Sequence, residues 1–467
     1  MTTTSVNLIK GDKVSIETDY RDSLPVNMYA VERDILGAAG YMLCYPGLTQ
    51  IGVGSGIDRG GVYNERFEEH YRVSGTKLIS VSSTGTTTEL GTVSGTEQVA
   101  MPYSFNTQCV IADGRMFLYD STTFSEVTDS DLGDPVDAVW VDNYYFLTDG
   151  EYIYHTDIAD ETSIDPLKFA TAEFMPDPSN GVSKTQDNKV MVWGRYSLEY
   201  FINRATANFA FQRVETRAQK IGIVATHAKC EMGGTFYITG GYKYGAVAVY
   251  EIGIGSSTKI STREVDKVIA QYTEPELADM RMECRMEDDV SFIIVHLPNE
   301  TLCFNLNIAK KFGNNFAWSI LKTGTSDGNY RAINGVLDAR SSNWIYGDKL
   351  GTIIGKIDNT VFTQYDEITE WLLYTPFMKF EAASIDEIEI ETIPGHTSAD
   401  DATVAISTSY NGLTFGNEWW NLYGEPSEYG QRFIARRFGY VSDWISFKFR
   451  GATTSRMSFA ILRITHS

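Results

Sequence analysis

Six histidines, five cysteines and a large set of carboxylates are the residues of this chain that could carry chemistry. The histidines (His70, His155, His227, His296, His396 and His466) would suit a zinc site or a general base, yet no H-x-x-x-H or H-E-x-x-H spacing sets two of them on one face of an element. The cysteines (Cys44, Cys109, Cys230, Cys284 and Cys303) are odd in number, far apart and free of any C-x-x-C pair. They predict buried free thiols, neither a disulfide framework nor a thiolate metal site. No metal and no cofactor is expected. Gly52-Val53-Gly54-Ser55-Gly56 has the glycine density of a phosphate loop but fits neither G-x-G-x-x-G nor G-x-x-x-x-G-K-[ST], and predicts a flexible loop. No G-x-S-x-G nucleophile elbow occurs. Carboxylates are what remains, because two of them gathered around a shared axis could cleave a glycosidic bond, and aromatic residues, 13% of the chain, could stack on sugars. The nearest approach to a sialidase-type Asp box is Ser409-Tyr410-Asn411-Gly412-Leu413-Thr414-Phe415. It is one residue short, occurs once, and reads more simply as an Asn-Gly hairpin turn.

The elements that would position such groups are short strands. Ile111 to Asp120 reads as two strands closed by Asp113-Gly114. Similar units stand at Tyr71 to Val81 around Ser74-Gly75, Tyr145 to His155 around Asp149-Gly150, and Val190 to Phe201 around Gly194. Others follow at Phe236 to Tyr250 around Gly240-Gly241, Phe292 to Phe304 around Pro298-Asn299, and Trp344 to Ile357 around Gly347-Asp348. Hairpins recurring roughly 36 to 58 residues apart are what the blades of a propeller leave in a sequence. The expected fold is therefore all-β: an irregular β-propeller of six or seven blades, preferred over one large irregular sandwich, with a C-terminal β-sandwich.

Residues 1–60 lack the repeat and form an N-terminal arm with the first strands; Leu24 to Met28 is extended by its proline, and Ala30 to Ala39 reads as one or two helical turns. Residues 61–365 form the propeller. Inside it, residues 273–281 predict a short inserted helix, with Thr273 and Glu276 at capping-box spacing and Pro275 early enough to be tolerated. Residues 366–467 change to longer alternating strands, at Trp371 to Phe380, Asp386 to Ile393, Thr403 to Ser409, Ile445 to Arg450 and Ser458 to Ile464, and read as the sandwich. Its charge is uneven. Asp386, Glu387, Glu389 and Glu391 stand near its start, whereas Arg432, Arg436, Arg437, Lys448, Arg450, Arg456 and Arg463 crowd its end. Two readings stay open: pairing within the chain, or a basic face that docks on an acidic partner or a neighbouring subunit. Arg432, Arg436, Arg437, Lys448 and Arg450 are the candidate interface.

The 467 residues, 43% hydrophobic, are ample for a core. No window approaches 18 consecutive apolar residues and the first residues lack the regions of a signal peptide, so a soluble chain made in a cytoplasm is expected. Its formal net charge of -22 repels phosphate backbones, which argues against specific DNA binding and is compatible with an acidic wall past which DNA slides. The acidic runs Glu126 to Asp137 and Glu283 to Asp289 are candidates for such a wall, with a solvated outer loop as the plainer reading.

Several short segments, in order along nearly the whole chain, resemble one family. They are Leu24-Pro25-Val26-Asn27-Met28, Gly40-Tyr41 with Pro46-Gly47, Tyr63-Asn64, Tyr71-Arg72-Val73, Ser197-Leu198-Glu199-Tyr200-Phe201 and Ile293-Ile294-Val295-His296-Leu297-Pro298. Leu321-Lys322-Thr323-Gly324, Gly347-Asp348-Lys349, Gln364-Tyr365-Asp366 and Leu372-Leu373-Tyr374-Thr375-Pro376 complete the set. The family is the tail accessory factor or tail hub of short-tailed enterobacterial phages, also called packaged DNA stabilisation protein. Met1 to Thr18 and the loop around Thr84 to Gly95 depart from its pattern. The resemblance implies a non-enzymatic virion part, assembled in the host cytoplasm. It implies a homo-hexamer forming a ring or nozzle below the portal and joined to it by a dodecameric adaptor ring (the head-to-tail connector). That ring would close the DNA channel, stabilise packaged double-stranded DNA without binding it specifically, carry the tail needle and help hold the tailspikes. No membrane is involved, and no catalytic residue is carried over. The alternative is a glycan-binding or glycan-cleaving propeller acting at a host surface; a third reading is a bacterial scaffold propeller outside any virus.

Overall fold

The computed structural model describes residues 1–9, 24–34, 37–158, 160–287, 289–326, 328–392, 395, 397, 402–412, 414–452 and 454–467. Among the described residues, seven mainly antiparallel sheets follow one another along the chain as the blades of a propeller. Blade 1 is Asp58–Asn64, Glu69–Ser74, Lys77–Val81 and Thr87–Thr92. Blade 2 is Gln108–Ala112, Arg115–Tyr119 and Phe124–Glu126, with Ala100 and Tyr103 bridging to its first strand. Blade 3 runs from Asp137–Val141 through Tyr144–Thr148 and Tyr152–Asp157 to the long outer strand Asp160–Thr171. Blade 4 spans Ser179–Lys184 to Phe211–Arg213, blade 5 spans Gly222–Ile223 to Ser256–Lys259, and blade 6 begins at Arg281–Glu287. Blade 7 is Ala332–Asp338, Asn343–Asp348 and Ile353–Asp358, completed by Gly47–Val53 from the start of the chain. That pairing closes the ring of blades.

Each of the seven hairpins expected from the sequence lies inside one blade, but Gly240-Gly241 and Gly347-Asp348 fall within the strands Thr235–Gly241 and Asn343–Asp348, and the chain reverses after them. Asp113 and Gly114 both have positive φ (52° and 68°) between strands in register at Ala112 and Arg115, the geometry that an Asp-Gly pair tolerates. The cores lie between neighbouring blades. Tyr71, Val73 and Leu78 of blade 1 pack against Val110 and Phe117 of blade 2, and Phe146, Val182 and Val192 join blades 3 and 4. Burying one such side chain contributes about 1.5–3 kcal/mol, so the blades depend on one another.

Three expectations are revised. The Gly52 to Gly56 segment is packed backbone, not a flexible loop. A Cβ on Gly52 would lie 2.1 Å from the Gly85 carbonyl oxygen, and the amides of Ser55 and Gly56 both donate to Ser74 Oγ at 3.0 Å. The glycines are there because the closing strand crosses the end of blade 1 at backbone contact. In the inserted segment, Thr273 N and Oγ1 both donate to Glu276 Oε2 at 2.7 Å, as capping-box spacing requires, but only a 3₁₀ turn follows at Glu276–Asp279. The next strand starts at Arg281, leaving no length for an α-helix. The helix of this region is Arg263–Ile269, which buries Val265 and Ile269, an i, i+4 pair. Finally, Ala30 and Val31 belong to the strand Met28–Val31, which pairs with Tyr41–Cys44; Ile35 and Leu36 lie outside the described residues.

The sandwich has one sheet in the order Thr2–Asn7, Ile461–His466, Ala383–Glu391, Phe433–Val441. Its second sheet runs Glu370–Tyr374, Trp444–Ala452, Thr403–Ser409, Trp419–Leu422. Phe438 and Phe447 meet edge to face across the interior at 5.5 Å. The strands Trp419–Leu422 and Phe433–Val441 were not expected from the sequence, and Ile393 lies outside the described residues.

Candidate functional site

Three groups of polar residues stand out, and they do different work. The first is a clasp. Leu24-Pro25-Val26-Asn27-Met28 runs between blade 6 and the first strand of the second sandwich sheet. Val26 exchanges two backbone bonds with Leu372 (3.0 Å each), while Asn27 N donates to the Ile320 carbonyl (2.8 Å) and Ile320 N to that of Pro25 (2.8 Å). The Asn27 amide completes it: Nδ2 donates to the Glu370 carbonyl at 2.7 Å and Oδ1 accepts from Lys322 N at 2.9 Å. This fixes the propeller to the sandwich through backbone groups that would otherwise be buried unpaired.

The second group fills the propeller axis. Arg72, fully buried, donates through Nε (2.7 Å) and Nη2 (3.0 Å) to Asp58. It also reaches the Asn334 carbonyl of blade 7 at 2.9 Å, and Asn334 Nδ2 returns to Asp58 (2.7 Å) and to Gln98 Oε1 (3.1 Å). Burial pushes the Asp58 carboxyl up and Arg72 opposes that shift. Lys229 of blade 5 donates to Asp137 of blade 3 at 2.7 Å, and His227 Nε2 lies 3.3 Å from the carbonyl of Gln98, in the connection between blades 1 and 2. Those blades are not neighbours in a ring of seven, so these bonds cross the axis. Polar side chains thus bridge opposite sides of the ring of blades. Glu283, in one of the two acidic runs, is buried here, 2.9 Å from His296 Nε2 and bonded to Gly335 N at 2.8 Å.

The third group is the basic set of the sandwich, and its five candidate residues part company. Arg450 donates to Glu418 at 2.9 and 2.6 Å and to Glu370 at 3.0 Å, with Lys448 3.6 Å from Glu418. The Arg450 hydrogen bonds hold the Glu418 carboxyl below the usual carboxylate range. Arg432, Arg436 and Arg437 instead stand on the strand Phe433–Val441 or beside its start, and that strand is an edge of its sheet. Arg432 donates to Glu389 at 2.5 and 2.7 Å and Arg436 to Glu387 at 2.7 Å, yet their side chains remain 63% and 68% exposed. Arg463 pairs with Glu391 in the same sheet. Arg437 is exposed, has φ 70°, and has no ion pair among the described residues. It sits where Arg437 and Phe438 together oppose Asp386, a bulge that the register shift between Ile385 and Glu387 marks. The bulge breaks the alternation, which is why this strand was not legible. Exposed Tyr440 follows, and Trp419 of the adjoining edge packs against Phe438 at 5.5 Å.

Two of the groups considered for chemistry have structural roles. Gly412 has φ 75° and its amide donates to Ser409 Oγ at 2.8 Å, so the Asp-box-like stretch is the Asn-Gly turn it was read as; Leu413 lies outside the described residues. His155 is buried against Phe209 and Phe211. Among the described residues no cluster of His, Cys, Asp and Glu is arranged to hold a metal ion, and no helix is long and apolar enough to cross a membrane.

The propeller is clasped to a sandwich whose edge bears a basic, aromatic surface. Sequence comparison gives the family. Residues 4–362 match the bacteriophage P22 Gp10 β-propeller model and residues 370–467 the P22 Gp10 β-sandwich model. The tail hub protein gp10 of Salmonella phage P22 is 30% identical over 95% of this chain and 94% of its own. The chain belongs to the P22 Gp10 family, and with it to the structural proteins of phage tails. Solved structures resemble it more loosely. The extracellular domain of the BT4673 one component system of B. thetaiotaomicron is 9% identical with TM-score 0.43, covering 84% of this chain; the chain spans 48% of that structure. The N-terminal domain of Nup159 is 11% identical with TM-score 0.42, covering 72% of this chain and 100% of its own, and the C-terminal WD40 domain of Sif2 is 10% identical with TM-score 0.39, covering 67% and 99%. At these scores they bear on neither fold nor function.

Proposed function

We propose that the chain is the hub of a short phage tail. Six copies form a ring below the portal, joined to it through the adaptor ring. The ring extends and closes the DNA channel, holds packaged DNA in place mechanically, and carries the needle and the tailspikes. The chain performs no catalysis and acts in the virion tail after assembly in the host cytoplasm. The observation that carries this reading is the match to the P22 tail hub, which runs through propeller and sandwich alike. Two features support it. Side chains bridge the propeller axis, which fits a duplex that runs between copies rather than through one chain. And Arg432, Arg436 and Arg437, on a sheet edge that no described strand covers, offer a surface for heterologous contact, while Lys448 and Arg450 are paired with Glu418 and Glu370 on the second sheet. The test is retention of DNA. Heads with adaptor-capped portals but without this chain are expected to leak DNA to nuclease, and added chain to protect it. Equal digestion with and without the chain would sink the reading.

A further inference from the structure

Blade 3 carries a cavity of about 230 Å³ at its outer rim. Its walls include Tyr152, Tyr154 and Phe169, and Asp131, Asp149 and Asp165 line it as well. Tyr152 and Phe169 meet edge to face at 5.2 Å, and Tyr154 is fixed by its hydroxyl on the Leu132 carbonyl at 2.6 Å. Lys168, next to this wall, is held by Asp157 at 2.8 Å and Asp165 at 3.4 Å. Asp131 has no ion pair among the described residues and is exposed. The outer strand Asp160–Thr171 that forms one side is an edge of its sheet and leaves Leu167 79% exposed. Aromatic walls with carboxylates fit a guanidinium, which stacks on rings and bonds to carboxylates at the same time.

The same chain presents such a group on its other domain. The edge strand Phe433–Val441 combines Arg437, exposed and without an ion pair, with Arg436 and Tyr440, a composition common at the centres of protein interfaces. We infer that copies of this chain associate with one another by seating the Arg437 bulge of one sandwich in the acidic blade 3 cavity of the next copy. A charge of -22 on each copy opposes self-association, so a contact between copies needs opposite charges brought together locally. Two complementary patches on different domains of one chain give a head-to-tail contact, which closes into a ring when the rotation allows. For the number of copies in that ring the inference rests on the hub reading.

The test uses the full chain in two reversed forms. One carries Arg436→Glu and Arg437→Glu, the other Asp131→Lys and Asp165→Lys, and each is first shown to melt as the parent does. Native mass is read with and without the adaptor-capped portal. Each form alone is expected to lose about tenfold or more in association with its own copies, which is about 1.4 kcal/mol. An equimolar mixture is expected to recover it, because reversed edges meet reversed cavities and unreversed edges meet unreversed ones in alternation. Arg437→Ala, which removes no ion pair within the chain, should weaken assembly in the same direction and serves if a reversed form does not fold. Rings of parent strength from either reversed form, or no recovery on mixing folded forms, would overturn the inference. So would an edge variant that keeps the ring but no longer docks on the adaptor. A parent chain that forms no ring on the portal would instead overturn the hub reading itself.

Discussion

Arg72 in the propeller and Arg432 in the sandwich each make a two-point bond to a carboxylate, at 2.7 and 3.0 Å to Asp58 and at 2.5 and 2.7 Å to Glu389. Their surroundings separate them. Arg72 is sealed at the axis with Asn334 and Gln98 completing the network, whereas Arg432 lies along a sheet with most of its side chain in water. In the sealed site each charge has given up its hydration, so the partner cannot be removed without leaving a bare ion; on the sheet, water replaces the partner at little cost. The difference teaches that the ionic groups of the propeller hold its blades together, while those at the sandwich edge leave the fold nearly indifferent to them and are free to serve a partner.

The largest effect is expected at Arg72. Arg72→Leu leaves Asp58 buried without its cation and is expected to cost about 3–5 kcal/mol in urea unfolding. Adding Asp58→Asn should recover part of the loss, and an unaltered midpoint would show that the axis is not held by charge.

Acid sharpens it next. Burial pulls His70 and His296 down to about 4. The unfolded chain takes up these protons near 6.5 and the folded chain not until about 4, so acidification across that interval favours unfolding, by on the order of 3 kcal/mol for each group. In the sandwich, the Arg432 hydrogen bonds hold the Glu389 carboxyl below its ordinary value of 4.5. That stabilisation is fully present above the ordinary value and fades only as pH falls below it. Hydrogen exchange followed from pH 7 downward should therefore show blades 1, 6 and 7 loosening before the sheet that carries Glu389; the reverse order would contradict the account.

A smaller effect is expected where the ring of blades closes. Gly85 has φ 88°, and a Cβ there would lie 2.1 Å from the Ile51 carbonyl oxygen. Gly85→Ala should cost about 1–3 kcal/mol and show as a lower melting temperature, with faster exchange at Gly47–Val53. Smallest of all, a double-mutant cycle on Arg432→Ala and Glu389→Ala should give a coupling within the scatter of ordinary exposed ion pairs. A value of several kcal/mol would erase the contrast between the two domains.

The hairpins were legible because pairs such as Asp113-Gly114 announce a two-strand turn within a few residues, and the sandwich because its strands alternate. Ring closure was not, since Gly47–Val53 finds Ile353–Asp358 only across the whole propeller. The glycines that mark that crossing looked like a loop because their reason, close approach to Ser74, Gly75 and Gly85, lies on another blade. The polar network was hidden for the same cause: Asp58, Gln98 and Asn334 are isolated polar residues in the sequence and come together only when blades 1 and 7 meet. At the sandwich edge composition revealed the arginines, but which of them the carboxylates at Glu387 and Glu389 would engage depended on strand register, and the bulge at Arg437 broke the alternation that would have shown the strand.

The most direct test of the hub reading is the mass of the complex that the purified chain forms with the adaptor-capped portal of its phage. Six copies bound per portal is the predicted result. A folded chain that forms no stable complex with its own portal, or binds it with another stoichiometry, would contradict the account.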